Sequence, residues 1–300
     1  MADRLKLHYE AQGSRTRSVA RIGQSAAHLA AFFGSHMARE IPERLDAYVV
    51  ARRRQGAKPA TIRLELWVLG RMFKVSKLPR PELPAIEVRN VRQGFFEEND
   101  LRRVVACLPA DLRPLVLFGF HTGWRKGECT ALRWAQVDFK AGAVRLEPGT
   151  TKNGQGRMFP FGAHPELAQL LREQREETAA LERAMGKIVP WVFHRQGKAI
   201  KDLDDAWRRA CREAGVPGRL FHDLRRTAVR NLERARVPRS VAMKLTGHLT
   251  ESVYKRYAIV SEADLAEGVA KLAESRIGTN AAQMVAGTDL AGPSRIGATR

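Results

Sequence analysis

The chain has 300 residues, of which 44% are hydrophobic, so it is long enough for two domains that each bury a core. It carries 52 Lys and Arg residues against 32 Asp and Glu residues, a formal net charge of +20. Such a charge attracts polyanions, chiefly nucleic acid or an acidic membrane surface. No run reaches the roughly 18 apolar residues of a membrane span, and the first residues lack the apolar segment of a signal peptide. We therefore expect a cytoplasmic protein that binds nucleic acid and no membrane.

The first third of the chain has the periodicity of helices. Apolar residues recur at helical spacing in three segments, 18–33, 41–54 and 59–75. Residues 77–94 contain three prolines and no clean period, which is typical of a linker. The pattern predicts a helical domain over 1–76. Residues 1–94 hold 18 basic and 8 acidic side chains, which suits a small domain that grips backbone phosphates, or simply a solubilising surface.

The rest of the chain mixes helix and strand patterns. Apolar periodicity predicts helices at 100–108, 111–121, 125–134, 165–184, 203–214, 223–235, 239–246 and 250–257. Three segments alternate as strands, 137–139, 143–146 and 157–161, and Asn153-Gly154 is a tight-turn signal before the last one. The predicted fold is therefore mainly α, with a small three-stranded antiparallel sheet in an α+β domain over 95–272. Residues 273–300, rich in Gly, Ala and Ser, are predicted to be a disordered tail.

The three cysteines and the isolated histidines give no metal-binding pattern. Cys107, Cys129 and Cys211 are widely spaced and form no CxxC pair, which is typical of reduced thiols. His121 and His194 have no partners at ligand spacing, and we expect them to be structural. The sequence therefore predicts no metal site.

Six side chains of the predicted second domain either carry a positive charge or can exchange a proton: Arg125, Lys152, His222, Arg225, His248 and Tyr257. His222 and Arg225 lie one helical turn apart and so share a helix face. Fixed donors aimed at the oxygens of a phosphorus transition state are typically worth about 100- to 1000-fold each, and arginine is the best such donor. A phenol with a pKa near ~10 needs cations and a proton acceptor to react at neutral pH. The set predicts attack by a tyrosine on an anionic phosphorus centre.

In this order, the six residues resemble the catalytic signature of the tyrosine recombinases, the phage-integrase family. Three surrounding stretches match as well, at 131–138, 151–154 and 221–227. The resemblance covers 95–272 strongly and 1–76 more loosely, through the sequence Lys-Pro-Ala-Thr-Ile-Arg at 58–63, which is similar to part of the family's helical core-binding domain. Trp124 stands where the family more often has an aliphatic residue.

The resemblance implies a role for each residue. Tyr257 would attack the scissile phosphate, form a 3′-phosphotyrosyl link and free a 5′-hydroxyl. Arg125 and Arg225 would hold the non-bridging oxygens, His222 would help to accept the phenol proton, and His248 would donate to the phosphate.

Two further roles follow from the same resemblance. Lys152 would protonate the departing 5′-oxygen, and Glu128 would occupy the family's acidic position behind the catalytic residues. Exchanging a phosphodiester for a phosphotyrosine conserves bond energy, so we expect no cofactor.

Two neighbours compete for these roles. Tyr254 lies three residues before Tyr257, close to the same helix face. The resemblance favours Tyr257, because the family's nucleophile follows its histidine by the same nine-residue step that separates Tyr257 from His248. Arg226 could replace Arg225, but the His-x-x-Arg spacing favours Arg225.

The partner implied is double-stranded DNA with a specific recombination site, held in a C-shaped clamp. We predict DNA contacts at Arg52, Arg53, Arg54, Lys58 and Arg63, although the three-arginine run could also be a solvated helix end. The resemblance further implies a homotetramer on DNA that acts through a Holliday junction, a monomer or weak oligomer without DNA, and room for accessory proteins. Residues 258–272 would dock on neighbouring subunits.

Two other functions remain open. A type IB topoisomerase uses similar chemistry, but its usual Ser-Lys-x-x-Tyr context is replaced here by the residues 252–257, Ser-Val-Tyr-Lys-Arg-Tyr. The second is a relative that binds DNA without catalysis. Every catalytic position is filled in this chain, which such a protein would not require.

Overall fold

A computed structural model describes residues 1–11, 16–88, 94–149, 156–255, 257, 265–266, 269–270 and 273. The chain divides into two compact units, Met1–Val91 and Arg92–Arg300. The predicted fold class is confirmed, since the protein is mostly helical with a small three-stranded antiparallel sheet. Within the described ranges, no helix has both the length and the apolar character that a membrane crossing requires.

Within residues 1–11 and 16–88, the α-helices of the first unit are α1 (Ala2–Ala11), α2 (Thr16–Phe33), α3 (Leu45–Arg54) and α4 (Pro59–Val75). Pro59 opens α4, where its fixed φ and missing N–H cost nothing. Short 3₁₀ turns, Ala38–Glu40 and Pro42–Arg44, connect α2 to α3. Residues 78–88 have no regular secondary structure. Within this segment Ile86 is buried in the core of the first unit, and Leu83 is half-buried against it. Part of the predicted linker therefore packs against the helical unit.

A buried ion pair lies inside this helical unit. Glu65 on α4 accepts hydrogen bonds from Arg52 Nε at 2.9 Å, Arg52 Nη2 at 2.7 Å and the hydroxyl of Tyr48 at 2.8 Å. Only 1% of the Glu65 side chain and 10% of the Arg52 side chain is exposed. Burial, and then Glu65, raise the pKa of Tyr48, so the phenol remains a donor.

We expect Glu65→Ala to lower the free energy of unfolding by roughly 3 kcal/mol, because it leaves the Arg52 guanidinium buried without its counter-charge. Urea unfolding measures this loss. The exposed Glu82 provides the matched control, and Glu82→Ala should change stability by less than about 0.5 kcal/mol. Equal, small effects of the two substitutions would contradict the account.

In the described residues 94–149 and 156–255, the helices of the second unit are α5 (Glu98–Cys107), α6 (Arg113–Thr122), α7 (Lys126–Thr130), α8 (Pro165–Met185), α9 (Asp204–Glu213), α10 (Phe221–Arg234), α11 (Arg239–Thr246) and α12 (Glu251–Tyr254). The predicted helix 125–134 is shorter in the structure. The chain leaves it after Thr130, since the Leu132 carbonyl and the Trp134 N–H pair with the backbone at Val192 and Pro190 instead. The predicted helix 250–257 ends at Tyr254.

In chain order, the sheet lies between α7 and α8. Its strands are β1 (Val137–Asp138), β2 (Ala143–Leu146) and β3 (Arg157–Phe159), in the order β1-β2-β3. Val144 in β2 pairs with Val137 on one side and Phe159 on the other. The third strand ends before Pro160, which has no N–H for a ladder. A short hairpin, β4 (His194–Arg195) with β5 (Lys198–Ala199), was not predicted from the sequence.

Close packing of α6 against α10 fixes the frame of the second unit. The two helices meet at Gly119, where an added Cβ would lie 2.7 Å from Cζ of Phe221. The apolar side of α6 is buried with Trp124 and Trp207 in one continuous core. This approach brings the C-terminal end of α6 beside the first turns of α10.

Candidate active site

Helix α10 presents the His-x-x-Arg pair. The carboxylate of Asp223 accepts the backbone N–H of Leu220 at 2.8 Å and so caps the first turn. The two side chains differ in burial, because His222 is exposed whereas Arg225 is only 1% exposed. The pair shares a helix turn, with one member at the surface and the other beneath it.

The carbonyl ends of two helices bind the buried Arg225 guanidinium. Its Nη1 donates to the carbonyl of Gly123, after α6, at 2.8 Å, and to the carbonyl of Thr246, at the end of α11. Its Nη2 lies 2.9 Å from Nε2 of His248. Helix C-termini carry unpaired carbonyls and partial negative charge, so they suit a buried cation. These contacts use three of the five N–H groups of an arginine.

Hydrogen bonds define which nitrogen of His248 carries the proton. The Thr246 hydroxyl donates to the carbonyl of Ala242 at 2.7 Å, so its oxygen is free to accept from His248 Nδ1 at 2.8 Å. Arg225 can only donate, so Nε2 of His248 is the acceptor. His248 is therefore a neutral imidazole with its proton on Nδ1.

Two glycines end the helices that hold the arginines. Gly123 and Gly247 have φ values of +64° and +71°, a left-handed conformation that favours glycine. An added Cβ on Gly123 would lie 2.8 Å from Cβ of Ala228, and one on Gly247 would overlap Nη1 of Arg157. Both positions therefore require glycine for conformation and for space.

Arg125 lies beside the same helix end as Arg225. Its Nη2 lies 3.5 Å from the carbonyl of Gly247, the residue next to the Thr246 carbonyl that binds Arg225. Glu128 holds Arg125 from behind, with Oε1 2.9 Å from Nη1 and Oε2 2.8 Å from the backbone N–H. Adjacent carbonyls thus bring together the two arginines that the sequence places a hundred residues apart.

Arg157 contributes a third guanidinium to this cluster and was not predicted from the sequence. Arg157, on β3, forms an ion pair with Glu128 and donates from Nη1 to the carbonyl of Thr246 at 3.2 Å. Its guanidinium stacks on Trp124, 4.6 Å from the ring. Only 7% of its side chain is exposed. Trp124, the departure from the family pattern, therefore supports Arg157. The available signal in the sequence was an arginine at a strand position where the alternation predicts a buried apolar side chain.

The charges in the cluster do not cancel. Burial alone would raise the pKa of Glu128, but Arg157 and then Arg125 hold it below its usual range, so Glu128 is ionised. Burial, followed by the charges of Arg125 and Arg157, lowers the pKa of Arg225. Three guanidiniums around one carboxylate leave a surplus of positive charge that an anion would relieve.

Tyr257 lies over this cluster. Its hydroxyl is 2.9 Å from Nε2 of His222. Its ring lies 5.7 Å from the guanidinium carbon of Arg225, 5.6 Å from that of Arg226 and 4.8 Å from the ring of His248. Of the predicted set, five members therefore lie together: Arg125, His222, Arg225, His248 and Tyr257.

Both histidines are uncharged at neutral pH. Although part of His222 reaches solvent, the protein atoms around its ring displace much of its water. This desolvation, followed by the charges of Arg225 and Arg226, lowers the pKa of His222 to about 4. Burial, and then Arg225 and Arg125, lower the pKa of His248 to about 3. A neutral His222 that carries its proton on Nδ1 can accept the phenol proton at this distance.

The two rivals occupy different environments. Tyr254 is fully buried against Val229 and Ala242, and burial followed by the carboxylate of Glu233 raises its pKa. Both effects disfavour a phenolate. Arg226 is 9% exposed, and its Nε lies 4.0 Å from a carboxylate oxygen of Asp223.

Several predicted residues lie elsewhere. Lys152 and the segments 258–264 and 274–300 are outside the described residues. In the first unit, Arg53, Arg54, Lys58 and Arg63 are exposed. Arg52 differs, because it is buried and bound to Glu65. This ion pair gives Arg52 a structural role, and its buried side chain is not available for the DNA contact that was predicted.

Comparison with known proteins places these features in a family. Residues 95–263 match the model of the phage integrase family. The chain is 25% identical over 232 residues to the integrase of Salmonella phage P22, covering 73% of this chain and 55% of that protein. It is 27% identical over 209 residues to a shufflon-specific DNA recombinase of Escherichia coli, covering 66% and 50%. The chain thus spans about half the length of these two relatives.

Solved structures share the fold. A lambda integrase (residues 75–356) dimer bound to a COC′ core site matches with a TM-score of 0.69 and 15% identity, covering 86% of this chain and 93% of that one. The Tn1549 transposon integrase in complex with transposon right end DNA matches with a TM-score of 0.69 and 13% identity, covering 91% and 99%. With the family model matching more than half of the residues, this chain belongs to the phage integrase family of tyrosine recombinases.

Proposed function

We propose that the protein is a site-specific DNA recombinase that cuts and rejoins duplex DNA through a tyrosine. The observation that carries this proposal is the contact of the Tyr257 hydroxyl with the neutral His222, over guanidiniums that have surplus charge. A phosphodiester supplies the anion that this cluster lacks. Relatives named as integrases and DNA recombinases support the assignment.

The proposed first step forms one bond and breaks one. Tyr257 Oη bonds to the scissile phosphorus, its proton passes to Nε2 of His222, and the 5′-oxygen of the next nucleotide leaves. Arg125 and Arg225 stabilise the charge on the non-bridging oxygens. Lys152 gives the leaving oxygen its proton. Attack by a 5′-hydroxyl on the 3′-phosphotyrosine reverses these transfers and rejoins the strand.

His248 has a conditional role in this scheme. Its Nε2 accepts from Arg225 in the structure, so it cannot donate to a phosphate in the same arrangement. Entry of a phosphate would draw the free N–H groups of Arg225 to the anion and raise the proton affinity of the ring. We propose that His248 becomes a phosphate donor only after DNA binds.

Assembly follows by analogy. One structural relative is a lambda integrase tetramer bound to a Holliday junction, with a TM-score of 0.65. We propose the same assembly for this chain, with exchange through a Holliday junction on two specific sites. A type IB topoisomerase would instead relax plasmids that carry no recombination site, and a non-catalytic relative would leave a nicked substrate uncut.

Tyr257→Phe should abolish covalent capture of a nicked DNA substrate, because the nucleophilic oxygen is missing. The matched variant Tyr254→Phe removes a buried hydroxyl from the same segment and should retain capture. Denaturing gels that separate covalent protein–DNA complexes measure both. A covalent adduct in Tyr257→Phe, together with its loss in folded Tyr254→Phe, would reverse the assignment.

Arg157→Lys should lower kcat for strand cleavage by roughly 10- to 100-fold, the usual range for residues that orient a site from behind. A single ammonium cannot bridge Glu128 and Thr246 as the guanidinium does. KM for DNA should change much less, because most of the affinity comes from other phosphate contacts.

Arg145→Lys is the control, because Arg145 lies on the neighbouring strand with an exposed ion pair to Asp138. It should keep kcat within about twofold, since exposed pairs contribute little. Thermal unfolding checks that both variants are folded. Wild-type kcat in folded Arg157→Lys would refute the positioning role.

Acid should destabilise the protein in part through His222. Its folded pKa is about 4, below the ordinary value of 6.5, so between these values the unfolded chain binds more protons. The contribution is complete above pH 6.5 and is lost as pH falls toward 4. His222→Asn should therefore show a shallower fall in unfolding free energy over this range, measured by urea unfolding. The exposed His28 supplies the control His28→Asn, and identical slopes for the wild type and both variants would contradict the assignment.

A further inference from the structure

Two imidazoles and a carboxylate meet where α6 ends and α8 begins. They belong to His121, His164 and Glu166, and their ligand atoms all lie within 4.8 Å of one another. Nε2 of His121 lies 3.7 Å from Oε2 of Glu166, and the two imidazole centroids are 4.5 Å apart. This cluster was not predicted from the sequence, because His121 lies in α6 whereas His164 lies far along the chain, just before α8.

The distances are close to those of a metal centre. With zinc–ligand bonds of about 2.0–2.1 Å in a tetrahedron, ligand atoms lie roughly 3.3 Å apart. The cluster has to contract, and one member can move freely, because 78% of the Glu166 side chain is exposed. His121, with 14% exposure, is the fixed member.

The surroundings are acidic in a chain with a net charge of +20. A cleft of about 410 Å³ adjoins the cluster, and its charged lining residues are Arg113, Glu166, Glu173 and Glu177. Three carboxylates against one guanidinium give the cleft a local negative charge. A cation is therefore attracted here, although the protein as a whole repels it.

The ends of the two helices have opposing effects. His121 lies in the last turn of α6, whose negative end favours a cation, whereas His164 and Glu166 lie at the positive end of α8. His164 Nδ1 also accepts the N–H of Leu167 at 3.4 Å. That hydrogen bond is long and therefore weak. His164 can bind a metal through Nδ1, or through Nε2 with its proton on Nδ1, and in either case α8 loses only this weak N-terminal hydrogen bond.

We propose that His121, His164 and Glu166 bind one divalent zinc-type ion, with water as a fourth ligand. Two nitrogen donors and one oxygen donor suit Zn²⁺, whereas Mg²⁺ and Ca²⁺ prefer oxygen ligands. The ion would tie the C-terminal turn of α6 to the start of α8. This proposal revises the expectation that the chain has no metal site and is independent of the proposed recombinase activity.

Isothermal titration of the metal-free full chain with Zn²⁺, and visible absorption on titration with Co²⁺, test the proposal. We expect one equivalent to bind in the wild type. Glu166→Gln should weaken binding by at least roughly 10-fold, and His164→Ala should do the same. Because Glu166 is exposed, its substitution should not disturb the fold, which circular dichroism verifies.

Two controls separate ligation from general charge. Glu173→Gln removes a carboxylate from the same cleft but not from the cluster, and His28→Gln removes an exposed histidine of α2. Both should bind zinc within about threefold of the wild type. Absence of stoichiometric binding in the wild type, or undiminished binding in Glu166→Gln and His164→Ala, would overturn the proposal.

Discussion

The second unit depends on burying a positive charge against the carbonyl ends of two helices. A guanidinium that is 1% exposed would be strongly destabilising if its N–H groups were unpaired. Arg225 avoids this cost through the carbonyls of Gly123 and Thr246. Each carbonyl lies where a helix runs out of intrahelical donors, so the same contact also satisfies orphan acceptors. The arginine and the two helix ends therefore stabilise one another.

This arrangement explains why the positive charge of Arg225 is not neutralised although the side chain is buried. The carbonyls are dipoles rather than full negative charges, so they orient the guanidinium without neutralising it. Glu128 is the carboxylate that Arg125 and Arg157 share, and one negative charge cannot balance both. The surplus faces Tyr257, whose ring covers Arg225. A phosphate that enters there would find fixed donors, and little reorganisation would be needed.

The sequence was informative wherever a short motif fixed the residue type. The His-x-x-Arg spacing, the nine-residue step from His248 to Tyr257 and the fold class followed from local patterns, and the structure places five of the six residues together. Arg157 and Thr246 escaped notice because their partners lie far away in the chain, and strand alternation does not reveal an ion pair. Arg52 was expected to contact DNA together with Arg53 and Arg54. A helix turns each successive side chain by about 100°, so the three arginines point in different directions. Only the position of Glu65 shows which of the three is buried.

The most direct test of the account is where an oxyanion binds. A crystal structure of the full chain with tungstate, a tetrahedral mimic of phosphate, reports this position through its anomalous signal. The account predicts one ordered ion within about 3 Å of guanidinium nitrogens of both Arg125 and Arg225, facing the hydroxyl of Tyr257. An ordered ion elsewhere, with Arg225 unchanged and Tyr257 turned away from it, would contradict the central claim.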